Sequence, residues 1–169
     1  MSFKIITISR EFGSGGRFIG EQIAQKCGIE FYDKKIIEHV AKELGISEQI
    51  VANQGEYAPA GSIFSYAFVG RDITGVSLSD QIFNIQQKLI KDIAQKEPCV
   101  IVGRCADYIL SDRDDVLNVF IHGNMPEKIQ RISRLYHVNE QEAVKLIADT
   151  DKRRMTNYNF YTGQKWGNA

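Results

Sequence analysis

The fold of this chain is decided by the stretch Ile5-Ile6-Thr7-Ile8-Ser9-Arg10-Glu11-Phe12-Gly13-Ser14-Gly15-Gly16-Arg17-Phe18-Ile19-Gly20, in which a β-branched run leads into a glycine loop. Residues 5–9 have the apolar, β-branched content of a buried parallel strand. A helix predicted over residues 18–27 follows the glycines, and Gly28 is placed to cap its end. This order predicts a phosphate cradle, because backbone N–H groups and the helix dipole both favour an anion at a helix N-terminus.

The loop departs from the P-loop pattern G-x-x-x-x-G-K-[ST] in its side chains. When Gly15 is taken as the second glycine, Arg10 stands at the first glycine. Gly16 then stands at the lysine, and Arg17 stands at the serine or threonine. The two arginines flank the glycines, and guanidinium groups near a helix N-terminus suit phosphate. We therefore predict that nucleotide phosphates bind to Arg10, Gly13, Ser14, Gly15, Gly16 and Arg17.

The glycines admit two other interpretations. A dinucleotide-binding G-x-G-x-x-G would require glycine where Phe18 stands, so that pattern fails. A glycine-rich turn from strand to helix without any ligand stays open, because short glycine motifs match by accident.

Composition predicts the class of protein and excludes several partners. The chain of 169 residues is long enough for one domain with a sizeable core. Its 21 Lys and Arg residues equal its 21 Asp and Glu residues, so no basic excess argues for nucleic acid. No apolar run approaches the length of about 18 residues that a membrane span needs. Cys27, Cys99 and Cys105 form no C-x-x-C pair and no signal peptide is recognisable, so we expect a cytoplasmic protein.

Apolar segments alternate with helical patterns, which predicts an α/β fold with a doubly wound parallel sheet and flanking helices. The predicted strands cover residues 5–9, 30–32, 99–102 and 116–121. The later helices are predicted to begin near Asp33, Ser47, Ser77, Pro126 and Asn139. The last helix is expected to turn Ala143, Val144, Ile147 and Ala148 toward the core.

Residues 54–76 form the least regular part of the chain, because glycines and a proline are mixed there with aromatic residues. This composition predicts a mobile flap or a subdomain that packs over a ligand. A short helix near residues 63–69 that plugs the core is an equal alternative.

Candidate ligand-binding residues follow several of the predicted strands. In doubly wound sheets ligands gather at the carboxyl ends of the strands, so we expect the glycine loop, Asp33 and Arg104 at one edge. The guanidinium of Arg104 suits a phosphate, and the carboxylate of Asp107 suits a ribose hydroxyl or an exocyclic base amine. A local ion pair between Arg104 and Asp107 at the start of a helix is the alternative.

A second cluster of cations lies in Lys152-Arg153-Arg154. Phosphoryl transfer needs cations over the transferring group, and a closing lid supplies them. The aromatic residues up to Gly163 suit a hinged lid over residues 150–163, although cations near a helix end also favour its dipole without a ligand. Lys152 and Arg154 lie two apart, so the helix must end or bend near them if both face one phosphate. For Arg131 and Arg134 a solvated face is favoured over contact with a nucleotide.

Four blocks of this sequence, in order, resemble the cytidylate-kinase-like family of bacterial P-loop proteins. They read Ile8-Ser9-Arg10-Glu11-Phe12-Gly13-Ser14-Gly15-Gly16-Arg17, Phe31-Tyr32-Asp33, Val100-Ile101-Val102-Gly103-Arg104, and Asp151-Lys152 through Tyr161-Thr162-Gly163. The resemblance covers nearly the whole chain as a single domain, 1–169. It implies a fold of the nucleoside-monophosphate-kinase type, with an acceptor-binding insertion over residues 33–78 and a lid over residues 150–163. The family usually continues past Trp166-Gly167 into one more strand and helix, whereas this sequence stops at Ala169. Two explanations stay open: a sheet strand is missing, or the sequence is incomplete at this end.

The same resemblance implies a function and assigns roles to residues. It implies transfer of the γ-phosphoryl group of ATP to a nucleoside monophosphate, with CMP or dCMP favoured. The monophosphate would meet Asp33 and Arg104, and Asp107 is the candidate for the acidic residue of the family's Gly-Arg-Asp turn, where Cys105 stands. The catalytic cations implied are Lys152, Arg154 and Arg17, with Arg10 as the other candidate to replace the lysine.

Mg²⁺ is the expected metal, and it would bridge phosphate oxygens of the nucleotide. Its protein ligand stays unassigned, because Arg17 occupies the usual Ser/Thr position. The alternatives are a nucleotide- or phosphate-binding protein that does no chemistry, and a P-loop kinase for another small acceptor. The missing lysine favours the first alternative.

Overall fold

The computed structural model describes residues 4–55 and 76–167. Its strands are β1 (Ile5–Arg10), β2 (Glu30–Tyr32), β3 (Cys99–Val102) and β4 (Val116–Ile121). They form a parallel sheet in the order β2-β3-β1-β4, with Ile5 paired to both Cys99 and Val116. The predicted strands are therefore confirmed, and β1 continues one residue further, to Arg10.

Seven helices connect and cover these strands within the described residues. They are α1 (Gly16–Cys27), α2 (Lys34–Leu44), α3 (Glu48–Gly55), α4 (Leu78–Lys96), α5 (Ala106–Ile109), α6 (Met125–Tyr136) and α7 (Glu140–Thr162). Gly28 and Gly45 adopt the left-handed conformation and end α1 and α2 as predicted. Asn139 and Glu142 form a capping box at the start of α7.

The core lies on both faces of the sheet because side chains alternate along the two central strands. Ile8, Val100 and Val102 pack with Ala24 of α1 on one face. Ile5, Cys99 and Ile101 pack on the other face, against the buried residues Ile36, Val40, Ile82, Ile90 and Ala106 of helices α2, α4 and α5. Helices on both faces of a parallel sheet confirm the doubly wound α/β fold.

A hydrogen bond joins polar side chains of two neighbouring strands. Asn118 is exposed on the edge strand β4, and its side-chain oxygen accepts a 2.6 Å hydrogen bond from the buried Thr7 hydroxyl of β1. The bond satisfies the Thr7 hydroxyl, and the exposed position tolerates an amide in the apolar pattern of the strand.

The predicted inner face of α7 is wrong in part. Val144 and Ala148 are exposed, while Ala143, Ile147 and Thr150 form the buried stripe. This stripe follows the helical period and continues to Tyr158 and Thr162.

The 23-residue helix runs through residues 150–162 to Gly163, so it does not end near Lys152 and Arg154. The helix end that would let both cations face one phosphate is therefore absent from α7, and the lid over residues 150–163 stays a prediction.

Residues 56–75, which hold most of the predicted flap and the middle of the predicted acceptor-binding insertion, lie outside the described residues. Within the described ranges, every helix is too short or too polar to cross a membrane.

Candidate functional site

The glycine loop, residues 11–15, connects β1 to the first turn of α1. Gly13 and Gly15 have φ values of 82° and 87°, which side chains rarely adopt, so glycine is required there. The Ser14 hydroxyl donates a 2.8 Å bond to the Glu11 carbonyl and accepts a 3.3 Å bond from the Gly16 N–H. The predicted order of strand, glycine loop and helix N-terminus is therefore present.

Helix α6 packs directly against this loop. A Cβ added to Gly13 would lie 3.1 Å from Ile132 and 3.2 Å from Lys128. Arg131 donates a 2.5 Å hydrogen bond from Nη1 to the Gly13 carbonyl, and the same nitrogen would lie 3.1 Å from a Cβ on Gly15. Arg131 thus contacts the loop, whereas the sequence favoured a solvated face for it.

A buried lysine holds the loop to α6 and α7; we call this network the lysine bridge (Lys128, Glu11 and Asp151). The Lys128 ammonium lies 3.1 Å from Glu11 Oε2 and 3.1 Å from Asp151 Oδ2, and only 4% of its side chain is exposed. Asp151 also accepts a 2.6 Å bond from the Phe12 N–H, and Glu11 accepts a 3.0 Å bond from the Gly123 N–H. Burial alone would raise the pKa of Glu11, but the Gly123 N–H and Lys128 lower it below its ordinary value.

Three arginines meet in a second region, which we call the arginine cleft. Arg10 at the end of β1, Arg104 after β3 and Arg154 on α7 line it. The remaining lining residues are Ser9, Gly103, Cys105, Asn157, Tyr158 and Trp166. Arg10 is 9% exposed and Arg104 is 6% exposed, which is rare for arginine. Arg154 is partly buried, with Nη1 3.3 Å from the Arg10 carbonyl oxygen and its guanidinium carbon 5.5 Å from the Phe12 ring centre.

A strained turn places Arg104 in this cleft. Gly103, Arg104 and Cys105 have successive φ values of 70°, 61° and 55°. The left-handed conformation costs a residue other than glycine about 1–3 kcal/mol, and it persists only where the surroundings impose it. Here Gly103 is held by a 2.9 Å bond from its N–H to the Ile8 carbonyl, and its own carbonyl accepts a 3.1 Å bond from the Ala106 N–H.

Helix α7 places the amide of Asn157 and the hydroxyl of Tyr158 beside the arginines. Asn157 is 5% exposed, and its buried Nδ2 donor has no hydrogen-bond partner among the described residues. The Tyr158 hydroxyl donates a 2.8 Å bond to Asp107 Oδ2. Burial and the Asp107 carboxylate raise the pKa of Tyr158 above its ordinary value. Asp107 therefore ties α5 to α7 and does not line the cleft; its contact with an acceptor stays a prediction.

The remaining predicted residues take three different positions. Arg17, in the first turn of α1, donates a 2.6 Å bond from Nε to Oδ2 of Asp33. The Arg17 side chain is 53% exposed and Asp33 is 8% exposed. Asp33 occupies the position before α2, as predicted, but its side chain makes no capping bond because the carboxylate faces Arg17. Lys152 is exposed and does not line the cleft, which fits its two-residue separation from Arg154 on a continuous helix.

Sequence reasoning did not find Lys128 and Asn157, and it undervalued Arg131. Lys128 lies four residues before the buried Ile132 on the inner stripe of α6, and a lysine on an apolar stripe was the available signal. Nothing in the sequence distinguished Asn157 from the other polar residues of α7.

Several solved structures are similar to this chain in their overall fold. A crystal structure of an uncharacterized protein from Eubacterium ventriosum ATCC 27560 is similar, with 31% sequence identity and a TM-score of 0.72 over 97% of this chain and 81% of that chain. A shikimate kinase from Bacteroides thetaiotaomicron shares 17% identity, with a TM-score of 0.52 over 92% of this chain and 81% of that chain. A gluconokinase from Sinorhizobium meliloti 1021 shares 18% identity, with a TM-score of 0.51 over 89% of this chain and 76% of that chain.

The likeness to these two kinases shows the fold alone, and that fold is the α/β fold of the P-loop kinases. No curated protein sequence matches the chain at a significant level. The model of the cytidylate kinase-like family matches residues 5–169, nearly the whole chain. The chain therefore belongs to the cytidylate kinase-like family.

Proposed function

We propose that this chain transfers the γ-phosphoryl group of ATP to a nucleoside monophosphate, with CMP or dCMP as the favoured acceptor. The observation that carries the proposal is the arginine cleft, where guanidinium groups from β1, the turn after β3 and α7 meet. Phosphoryl transfer is catalysed mainly by positioning and by cations that stabilise the developing charge. A group of three arginines beside a glycine loop, with Arg10 and Arg104 buried and Arg154 partly buried, suits that task.

The donor phosphates would bind at the glycine loop. The N-terminus of α1 and the loop amides favour an anion there, and Arg131 holds the loop through the Gly13 carbonyl. The lysine bridge keeps the loop against α6 and α7. ATP positioned in this way would direct its γ-phosphoryl group toward the cleft, where Arg154 would stabilise the transition state.

The acceptor would bring its monophosphate to Arg104, which the strained turn holds in the cleft. Asp33 would face the acceptor from the start of α2, beside Arg17. The preference for CMP or dCMP rests on the description of the family alone. The cytoplasm is the proposed location, because Cys27, Cys99 and Cys105 are free thiols.

Mg²⁺ is proposed as part of the Mg·ATP complex. The described residues do not offer the usual hydroxyl ligand, since Arg17 stands at the Ser/Thr position and pairs with Asp33. No group of three His, Cys, Asp or Glu side chains in residues 4–55 and 76–167 is placed to hold a metal. Mg²⁺ commonly keeps waters and binds through substrate phosphates, so no step here depends on a protein–metal bond.

The test is a screen of ADP formation from Mg·ATP with each nucleoside monophosphate and with water alone. Turnover that depends on CMP or dCMP supports the proposal. Turnover with a different acceptor keeps phosphoryl transfer and overturns the specificity.

A second candidate function is nucleotide binding without chemistry, and Gly16 in place of the P-loop lysine favours it. Calorimetry with ATP distinguishes the two. Tight ATP binding without turnover for any acceptor would assign the chain to this second class.

A further inference from the structure

We infer that Arg10 supplies the positive charge of the missing P-loop lysine, so that the chain has exchanged the glycine and the cation of the motif between positions 10 and 16. The inference deepens the proposed function and rests on its claim that ATP phosphates bind at the glycine loop. It names one residue for a role that the sequence left open between Arg10 and Arg17.

The side chain of Arg10 occupies the space into which a lysine at position 16 would project. A Cβ built on Gly16 would lie 2.6 Å from Arg10 Cβ and 3.0 Å from Arg10 Cγ. Real Cβ contacts are not this short, so a side chain at position 16 and the arginine at position 10 exclude each other. The next nearest atom is Ile121 Cβ at 3.5 Å, an ordinary contact.

The backbone of position 16 does not require glycine. Gly16 is a helical residue of α1 and is not among the glycines with positive φ. Among the described residues, the stem of Arg10 is therefore the contact that keeps this position small. In the P-loop pattern position 10 is itself a glycine, which would leave that space open for the lysine.

The other cations near the loop, Arg17 and Lys128, do not line the arginine cleft. Arg17 pairs with Asp33 at 2.6 Å, and about half of its side chain is exposed. Lys128 lies between Glu11 and Asp151. Arg10 instead begins beside Gly16 and lines the arginine cleft with Arg104 and Arg154, and so connects the loop with the cleft. A guanidinium in that place offers a planar pair of donors to phosphate oxygens.

The test is a set of substitutions at these two positions, read out as the dissociation constant for Mg·ATP by calorimetry. Arg10→Gly removes the cation and should weaken ATP binding by about 10- to 100-fold, the usual effect of losing hydrogen bonds to a charged group. Gly16→Lys alone places two side chains in one space and should lower the melting temperature. Arg10→Gly with Gly16→Lys restores the pattern and should return the affinity to within about threefold of the original chain, because each site then holds one charge.

The matched control is Arg10→Gly with Gly16→Ala, which relieves the same contact without adding a cation. It should bind ATP as weakly as Arg10→Gly. Equal affinities of the lysine and alanine double variants would overturn the inference. Arg10→Gln, which leaves position 16 untouched, should also bind weakly; unchanged affinity in this variant would overturn the inference even if the double variants fail to fold.

Assays of phosphoryl transfer on the same proteins separate this inference from the proposed function. If the variants show the expected ATP affinities but the original chain shows no turnover, the charge exchange is supported and the proposed phosphoryl transfer is overturned. If the original chain shows turnover but all variants bind ATP equally well, phosphoryl transfer is supported and the charge exchange is overturned. Absence of ATP binding in the original chain would overturn both.

Discussion

Two charged clusters adjoin the glycine loop, and they differ in the side chains that compose them. The lysine bridge places one buried ammonium between two carboxylates, so three elements of the fold are joined by one network. The arginine cleft instead brings three guanidinium groups to a single lining surface. A lysine held between two carboxylates suits a structural role, whereas several guanidinium groups on one surface suit a phosphate ligand.

The two clusters also differ in backbone strain. The lysine bridge connects residues of the loop, α6 and α7 in ordinary conformations, whereas Arg104 and Cys105 are both left-handed in the turn beside the cleft. Strain of this kind collects at functional sites, because the surroundings must hold a side chain where folding alone would not place it. The comparison therefore predicts that substitutions in the bridge change stability, while substitutions in the cleft change binding or turnover.

The largest expected effect is on stability, from Lys128→Met. Removing the ammonium leaves Glu11 and Asp151 facing each other with most of their side-chain surface buried. Loss of one partner from such a network typically costs about 3–5 kcal/mol of unfolding free energy. Urea denaturation measures the change, and Lys145→Met on the exposed side of α7 is the matched control. A change no larger than that of the control would show that the bridge is not structural.

The next largest effect is on turnover, from Arg154→Ala. Cations that act mainly on the transition state change kcat more than ligand binding. We expect kcat for CMP phosphorylation to fall by about 10²-fold or more, as for the loss of other preorganised charge donors, with little change in ATP affinity. Steady-state kinetics and calorimetry measure the two quantities.

The neighbouring Arg153 provides the control for this prediction. It contacts the Asp149 carbonyl at 3.3 Å and does not line the cleft, so Arg153→Ala should leave kcat unchanged. Parallel losses of kcat and ATP affinity in Arg154→Ala would assign Arg154 to ground-state binding instead.

The fold was predictable because local patterns determine most of it. Apolar β-branched runs marked β1 and β3 without reference to the rest of the chain, and glycine ended α1 and α2 where their side-chain patterns stop. The path of residues 150–162 was not predictable in this way. Their aromatic residues are weak helix formers, and the helix persists because Tyr158 packs into the main core.

The candidate site was predictable only where residues follow strands directly. Arg10 and Arg104 stand at the ends of β1 and β3, so the parallel sheet brings them to one edge. The roles of Arg131 and Lys128 depend on how α6 lies against the loop. That contact joins residues more than a hundred positions apart, and no local pattern encodes it.

A smaller effect is expected on acceptor binding, from Arg104→Ala. The substitution removes a charged donor from one site, so the dissociation constant for CMP should rise by about 10- to 100-fold while that for ATP changes little. Arg113→Ala is the control, because Arg113 pairs with Asp115 outside the cleft. Equal losses for both nucleotides would contradict the assignment of Arg104 to the acceptor.

The smallest effect concerns pH, and it tests whether the lysine bridge stabilises the fold by electrostatics. The pKa of Glu11 lies below its ordinary value, because the Gly123 N–H and Lys128 outweigh the opposing effect of burial. A carboxyl with a lowered folded-state pKa adds stability above the unfolded pKa of about 4.3 and loses it as the pH falls through the folded value. Glu11→Gln should therefore be less stable than the original chain at pH 7, and the difference should shrink as the pH falls below about 4. Urea denaturation across this pH range measures the difference in unfolding free energy. The control is Glu140→Gln, at an exposed position, which should show no comparable trend with pH. A difference for Glu11→Gln that stays constant with pH would mean that shape and hydrogen bonding, not charge, make the contribution of Glu11 to stability.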